Sequence, residues 1–90
     1  MQWRVELKAK AAQAINKLDA PQRERIRAFL KKQSTQTNPR ATGKALQGQL
    51  AGYWRYRVGD YRLICQICQI KDGELLILVL EIGHRKDIYR

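Results

Sequence analysis

The 90-residue chain predicts an α+β fold: one small domain in the order β-α-α-β-β-β, with two N-terminal helices packed on one face of a largely antiparallel four-stranded sheet. Three observations predict it. A period-two alternation runs through Trp54, Tyr56 and Val58, with Arg55 and Arg57 between them, and resumes after Gly59-Asp60. A helical periodicity occupies the segment between residues 8 and 36. Ninety residues also allow only one modest core, so residues 1–90 are expected to form a single domain.

The elements follow in order. Gln2 to Leu7 alternates, with Trp3, Val5 and Leu7 on one side and Arg4 and Glu6 on the other, which predicts a short first strand. From Lys8 to Leu18, residues Ala11, Ala14, Ile15 and Leu18 share one helical face. Asp19-Ala20-Pro21 marks a boundary: Asp19 is a candidate cap, and proline is tolerated in a first helical turn because its missing N–H has no partner there anyway. The second helix is expected to run to about Gln36. It buries Ile26, Phe29 and Leu30 and leaves Arg23, Arg25, Arg27, Lys31 and Lys32 outside, either as a solvated face or as a docking face for RNA or an acidic partner. Residues 34–52 form the one long non-periodic stretch, punctuated by Asn38-Pro39 and Gly43. Arg40 and Lys44 are its charges, and Leu46 and Leu50 are its candidate anchors.

Gly59-Asp60 offers a two-residue hairpin turn. With that loop, Val58 faces Tyr61, Arg57 faces Arg62, Tyr56 faces Leu63 and Trp54 faces Cys65. Trp54, Tyr56, Leu63, Cys65 and Ile67 then share one sheet face, and Arg55, Arg57 and Arg62 the other. A second turn at Asp72-Gly73 would add Leu76, Leu78, Leu80 and Ile82 to the helix-covered face. Leu75, Ile77 and Val79 would fall on the arginine face, with Glu81 beside Ile64, and such an apolar stripe next to a basic patch would be a docking surface. Gly83 is expected opposite Arg62, which places His84 and Arg85 at the edge of the patch and Tyr89 near enough to fold over it.

Composition limits the function. Net charge is +10, and residues 1–60 carry 13 basic against 4 acidic residues, so a polyanionic partner is expected. A membrane is the poorest fit among such partners, because no helix joins a Lys/Arg face to a bulky apolar one. The N-terminus lacks a signal-peptide pattern, so the cytoplasm is the expected compartment. Cys65 and Cys68 lie within one strand on opposite faces, an arrangement that suits neither a redox motif nor zinc. One histidine gives no metal constellation, no glycine-rich phosphate loop is present, and no cofactor is expected. Carboxylate pairs and a serine nucleophile site are also missing.

Like charges opposed across a ladder destabilise a sheet. Gathering Arg55, Arg57 and Arg62 therefore points to an anionic ligand, as against a merely solvated basic face. Such a patch suits RNA cleavage by the substrate's own 2′-OH, in which the protein positions the reacting atoms and neutralises charge building on phosphorus. Forked guanidinium donors match phosphate oxygens. Arginine remains protonated near neutrality and is a poor base. Histidine is the side chain whose unperturbed pKa lies near neutrality, so His84 is either a catalytic or substrate-contacting group or a structural one.

Asn38-Pro39-Arg40, Gly43-Lys44-Ala45-Leu46-Gln47-Gly48, the stretch from Tyr53 to Ile64 and the stretch from Ile82 to Arg90 resemble the RelE branch of the RelE/ParE toxin superfamily. The resemblance covers essentially the whole chain. It implies a type II toxin with a RelE-like fold: an endoribonuclease that enters the ribosomal A site, cuts mRNA there, and is held inactive by a cognate antitoxin. That antitoxin is expected to be acidic and partly disordered. By position, Arg55 and Arg57 match basic residues on the first hairpin strand, and Arg62 matches the arginine that contacts the scissile phosphate. Arg85 resembles the arginine credited with leaving-group work, and Tyr89 the tyrosine that stacks on a substrate base. Some members have lysines where Arg55 and Arg57 stand, one of them acting as base. Here either His84 takes the proton or positioning and electrostatics dominate. Arg40 and Lys44 are the expected RNA-binding charges of the long loop. The chain ends after Tyr89-Arg90 without the C-terminal helix of some relatives, which would leave the sheet face open to the antitoxin. The alternative is a non-nuclease module on the same scaffold, either a gyrase poison like the ParE relatives or a corepressor with its antitoxin. ParE-type chains generally lack this arginine set.

Overall fold

The hairpin forms where the alternation places it. In a computed structural model, which describes residues 3–35, 38–71, 74–84 and 86, strand β3 (Trp54–Val58) pairs antiparallel with β4 (Tyr61–Lys71). The register is the expected one, with Val58 opposite Tyr61, Arg57 opposite Arg62, Tyr56 opposite Leu63 and Trp54 opposite Cys65. Gly59 has φ +59°, which an L-residue with a Cβ adopts only at a cost, and the tight turn depends on it.

The remaining elements are β1 (Trp3–Leu7), α1 (Ala9–Asn16), α2 (Ala20–Gln33), β2 (Lys44–Ala45) and β5 (Glu74–His84). The sheet order is β1-β5-β4-β3-β2. It is largely antiparallel, but β1 runs parallel to β5 along the edge. A fifth strand joins the four expected: Lys44 and Ala45, in the long loop, pair with Arg55 and Trp54. Two 3-10 turns, Pro39–Ala41 and Gly48–Leu50, give the rest of that loop its shape.

Both helices cover one sheet face. Ala11, Ile15, Ile26 and Leu30 meet Tyr56, Val58, Leu63, Cys65, Ile77, Val79 and Ile82, with Ala14, Leu18 and Phe29 packed around them. Phe29 meets the buried Tyr56 ring edge-on, centroids 5.3 Å apart. Helix α2 stops at Gln33, short of the expected Gln36. Asp19 stands at its N-cap position, but no hydrogen bond from its side chain caps the helix. Leu46 is half-buried, whereas Leu50 is too exposed to anchor the loop.

The register between β4 and β5 differs from the expectation. Lys71 pairs with Glu74, although the Asp72-Gly73 turn itself lies outside the described residues. The register then shifts by one between Gln69 and Lys71, and shifts back between Ile64 and Cys65. Each bulge changes the parity of the pairing, and two restore it. Gly83 therefore still faces Arg62, Glu81 still faces Ile64, and Ile82 still enters the core. Between the bulges the faces are exchanged: Leu75, Ile77 and Val79 pack toward the helices, and Leu76 and Leu78 lie on the arginine face.

Candidate nucleic-acid interface

The sheet face turned away from the helices carries a row of cations across three adjacent strands. Lys44 on β2 pairs with Arg55 on β3, two residues along is Arg57, and Arg57 pairs with Arg62 on β4. Residues two apart on a strand share a face, so these four residues share one. The Arg57/Arg62 pair follows directly on the pair that flanks the turn, a position without mutual backbone bonds where opposing side chains come closest.

The four are not equivalent. Lys44 and Arg57 are exposed and Arg55 is half-buried. Arg62 is only 6% exposed, and its Nη1 donates to the carbonyls of Gly59 at 3.4 Å and Tyr61 at 3.2 Å. Those bonds hold the guanidinium against the turn. Next to the cations lie Ile64, buried although it is outside the helix-side core, and the half-buried Leu76, Leu78 and Cys68. The face thus has a basic end and an apolar end.

The other expected site residues are placed differently. His84 follows Gly83, so alternation turns its ring away from the guanidiniums. It pairs with Tyr61, ring edge to ring face at 5.6 Å, on the helix side. Its Nδ1 accepts a hydrogen bond from the Lys86 N–H at 3.2 Å, so neutral His84 carries its proton on Nε2. This geometry removes His84 from the edge of the patch where it was expected. Arg85 and Tyr89 lie outside the described residues. Arg40 is also separated from the row, because the Pro39–Ala41 turn brings it to the helix side, close enough to Tyr56 for its charge to be felt there.

Two buried groups back the site without titrating near neutrality. Burial pushes the Tyr56 phenol far above its ordinary value; the neighbouring Cys65 adds to this and Arg40 opposes it. Burial alone pushes the Cys65 thiol up to about 12. Cys65 is therefore an inert core residue, and Cys68 lies across the sheet from it. Among the described residues there is no cluster of His, Cys, Asp and Glu able to hold a metal ion, and no helix long and apolar enough to cross a membrane.

The sequence alone does not single out Tyr53 and Trp54 as a pair beside the long loop. The available signal was the short polar pairing segment Lys44-Ala45, which folds the loop back against Trp54.

Comparison with known proteins agrees with this architecture. The sequence profile of the family described as ParE toxin of type II toxin-antitoxin system, parDE, matches residues 5–89. Toxin RelG of Mycobacterium tuberculosis (strain ATCC 25618 / H37Rv) is 40% identical over 52 residues, a match that spans 58% of this chain and only 56% of that relative. Among solved structures, the RelBE2 toxin–antitoxin complex from Mycobacterium tuberculosis superimposes with a TM-score of 0.67 at 28% identity, covering 97% of this chain and 95% of the other. The archaeal RelE–RelB complex from Pyrococcus horikoshii OT3 gives 0.70 at 25% identity, covering 97% and 99%. A profile match over nearly the whole length, on two helices against a bulged five-stranded sheet, places the chain in the ParE toxin family of type II toxin–antitoxin systems, as a RelE-like member.

Proposed function

We propose that this toxin is a ribosome-dependent endoribonuclease, cutting mRNA in the A site and neutralised by a cognate antitoxin. The observation that carries the reading is the convergence of Lys44, Arg55, Arg57 and Arg62 on the sheet face opposite the helices through strand pairing. Arg57 opposite Arg62 sets like charges against each other across the ladder, and a phosphodiester can draw both guanidiniums to it.

In the proposed reaction the 2′-OH gives up its proton to solvent as its oxygen bonds to phosphorus, and the P–O5′ bond breaks; the departing 5′-oxygen takes up a proton, leaving a 2′,3′-cyclic phosphate and a 5′-OH. Arg55, Arg57 and Arg62 neutralise charge gathering on the non-bridging oxygens. Arg85 is proposed to assist the leaving 5′-oxygen, and Tyr89 to stack on a substrate base. His84 is poorly placed as a general base in the described geometry, because its ring faces the helix side and its Nδ1 accepts the Lys86 N–H. Positioning and electrostatics therefore carry most of the rate, consistent with a toxin that borrows order from the ribosome. Residues 1–90 act as a single toxin domain in the cytoplasm.

The apolar end of the same face, Ile64, Leu76 and Leu78, suits an antitoxin segment that folds as it binds. Its acidic residues would fall on the arginines, so one partner would cover both ends. RelB partners occupy the related toxins of the two superimposed complexes.

The test is a pulse of expression without antitoxin, followed by mapping of new mRNA 5′ ends. Cuts confined to translated frames, bearing 5′-OH termini and lost in Arg62→Ala, are the expected result. The matched profile is a ParE one, and ParE relatives poison gyrase, so a second reading stands beside the first. Filamentation and DNA damage with intact mRNA would establish it and discard the nuclease.

A further inference from the structure

Behind the edge strand β2 is a hollow of about 210 Å³, lined by Arg40, Ala45, Gly52, Tyr53, Trp54 and Ile67. It lies on the helix side of the sheet, because Ala45 pairs with Trp54, and Trp54 and Ile67 pack against the core. Drug-sized ligands occupy pockets of roughly 300–1,000 Å³, so this one suits a single planar ring system.

Its walls are held in place. The Trp54 indole N–H donates to the Thr42 carbonyl at 2.8 Å. The Leu46 N–H donates to Tyr53 at 3.0 Å, and the Tyr53 N–H donates to Leu50 at 3.1 Å. Gly43, at φ +84°, lies so close to β3 that a Cβ there would come 2.4 Å from the Arg55 carbonyl oxygen and 2.5 Å from Trp54 Nε1. Asn38 Oδ1 accepts the Arg40 N–H at 3.0 Å and so fixes the turn that presents Arg40.

Among the described residues no carboxylate lines the hollow, and the one charged group there is a guanidinium. Trp54 spends its only donor on Thr42, so it offers a ring surface rather than a hydrogen bond to whatever enters. Tyr53 and Trp54 are both half-buried. Outside, the row Arg57, Arg55 and Lys44 runs to the same sheet edge, and Arg40 continues it on the inner side. Aromatic rings at the end of a cationic track are the features by which proteins hold single-stranded nucleic acid, largely independent of base identity.

We propose that this hollow receives one nucleobase of the RNA strand flanking the cleavage site, with the strand passing around the β2 edge. The ring stacks on Tyr53 and Trp54, the adjoining phosphate meets Arg40, and Lys44 guides the turn around the edge. The proposal rests on the ribonuclease reading for its ligand and assigns a second, non-reacting subsite to it.

The test alters the ligand rather than the protein. A fluorescently labelled, uncleavable 2′-O-methyl RNA is titrated into the full-length toxin and followed by anisotropy, with an abasic sugar moved one position at a time. One flanking position is expected to weaken binding roughly tenfold, the order of one lost base–aromatic stack. In Tyr53→Ala that position loses its special effect, and Tyr53→Phe restores it. A uniform response to abasic sugars at all positions would overturn the proposal. So would an abasic penalty left unchanged by Tyr53→Ala, or protection of Tyr53 and Trp54 by an antitoxin peptide but not by RNA. The two readings separate cleanly: a position-specific, Tyr53-dependent penalty in a toxin that leaves cellular mRNA intact upholds the subsite and removes only the cleavage.

Discussion

Replacing Arg57 by glutamine tests whether the arginine face exists for a ligand. Arg57 is exposed and stands opposite Arg62, which is 6% exposed, in the first pair beyond the turn-flanking one. Glutamine keeps a polar, unbranched side chain, shorter than arginine, and removes its charge. Unfavourable cross-strand pairs are worth about 0.2–1 kcal/mol, so Arg57→Gln should stabilise the fold by that amount. For a chain of this size 1 kcal/mol corresponds to roughly 4–8 °C, so Tm should rise by about 1–8 °C. The gain comes from charge repulsion at the surface and should shrink between about 0.05 M and about 1 M salt, as the Debye length falls from above 10 Å to about 3 Å. Cleavage should fall on the order of a hundredfold, as when one transition-state donor is removed. The assay pairs thermal unfolding at the two salt concentrations with ribosome-programmed cleavage of a defined mRNA. A variant that is more stable and less active is the expected outcome. Unchanged activity with raised stability would reduce the patch to a solvated basic face, and lowered stability would refute the argument from repulsion.

Two further outcomes test the register and the core. Val79→Lys should abolish folding, because it places a charge among fully buried side chains, whereas Leu78→Lys, one residue away on the open face, should cost no more than about 1 kcal/mol and weaken antitoxin capture. Circular dichroism and pull-down of the two variants decide it, and the opposite pattern would restore the unbulged register. In alkaline solution the unfolded Cys65 thiol ionises from about 9 while the folded one stays protonated to about 12, so the unfolded state loses its proton first. Stability should therefore be intact below pH 9 and fall by roughly 1.4 kcal/mol per pH unit above it, more steeply once the unfolded Tyr56 phenol begins to titrate. Urea unfolding at several pH values measures the slope, and Cys65→Ala, compared with itself across the series, should lose the thiol's share.

Much of this protein is written locally. The Gly59-Asp60 turn sets which residues face each other across β3 and β4, and the alternation of Arg55, Tyr56, Arg57 and Val58 says which face is wet. The helical stripes of Ala11, Ile15, Ile26 and Leu30 likewise identify the covered side. From these alone the arginine cluster can be assembled, because tight turns and period-two patterns act over a few residues.

Where the alternation stops, sequence loses its hold. Residues 75–80 are apolar without interruption, so either parity buries hydrophobic side chains and nothing in the pattern chooses between them. The choice is made by bulges at both ends of the run, and it moves Ile77 and Val79 into the core and Leu76 and Leu78 onto the arginine face. The same one-residue alternation past Gly83 turns His84 toward Tyr61, although in the chain it stands beside the arginine face. The fifth strand at Lys44-Ala45 is too short to carry a period of its own and exists because β3 has an open edge to pair with. That pairing separates Lys44, on the outer face, from Arg40, on the inner one. Local chemistry determined which residues could form the site. Only long-range pairing decided which of them share a face.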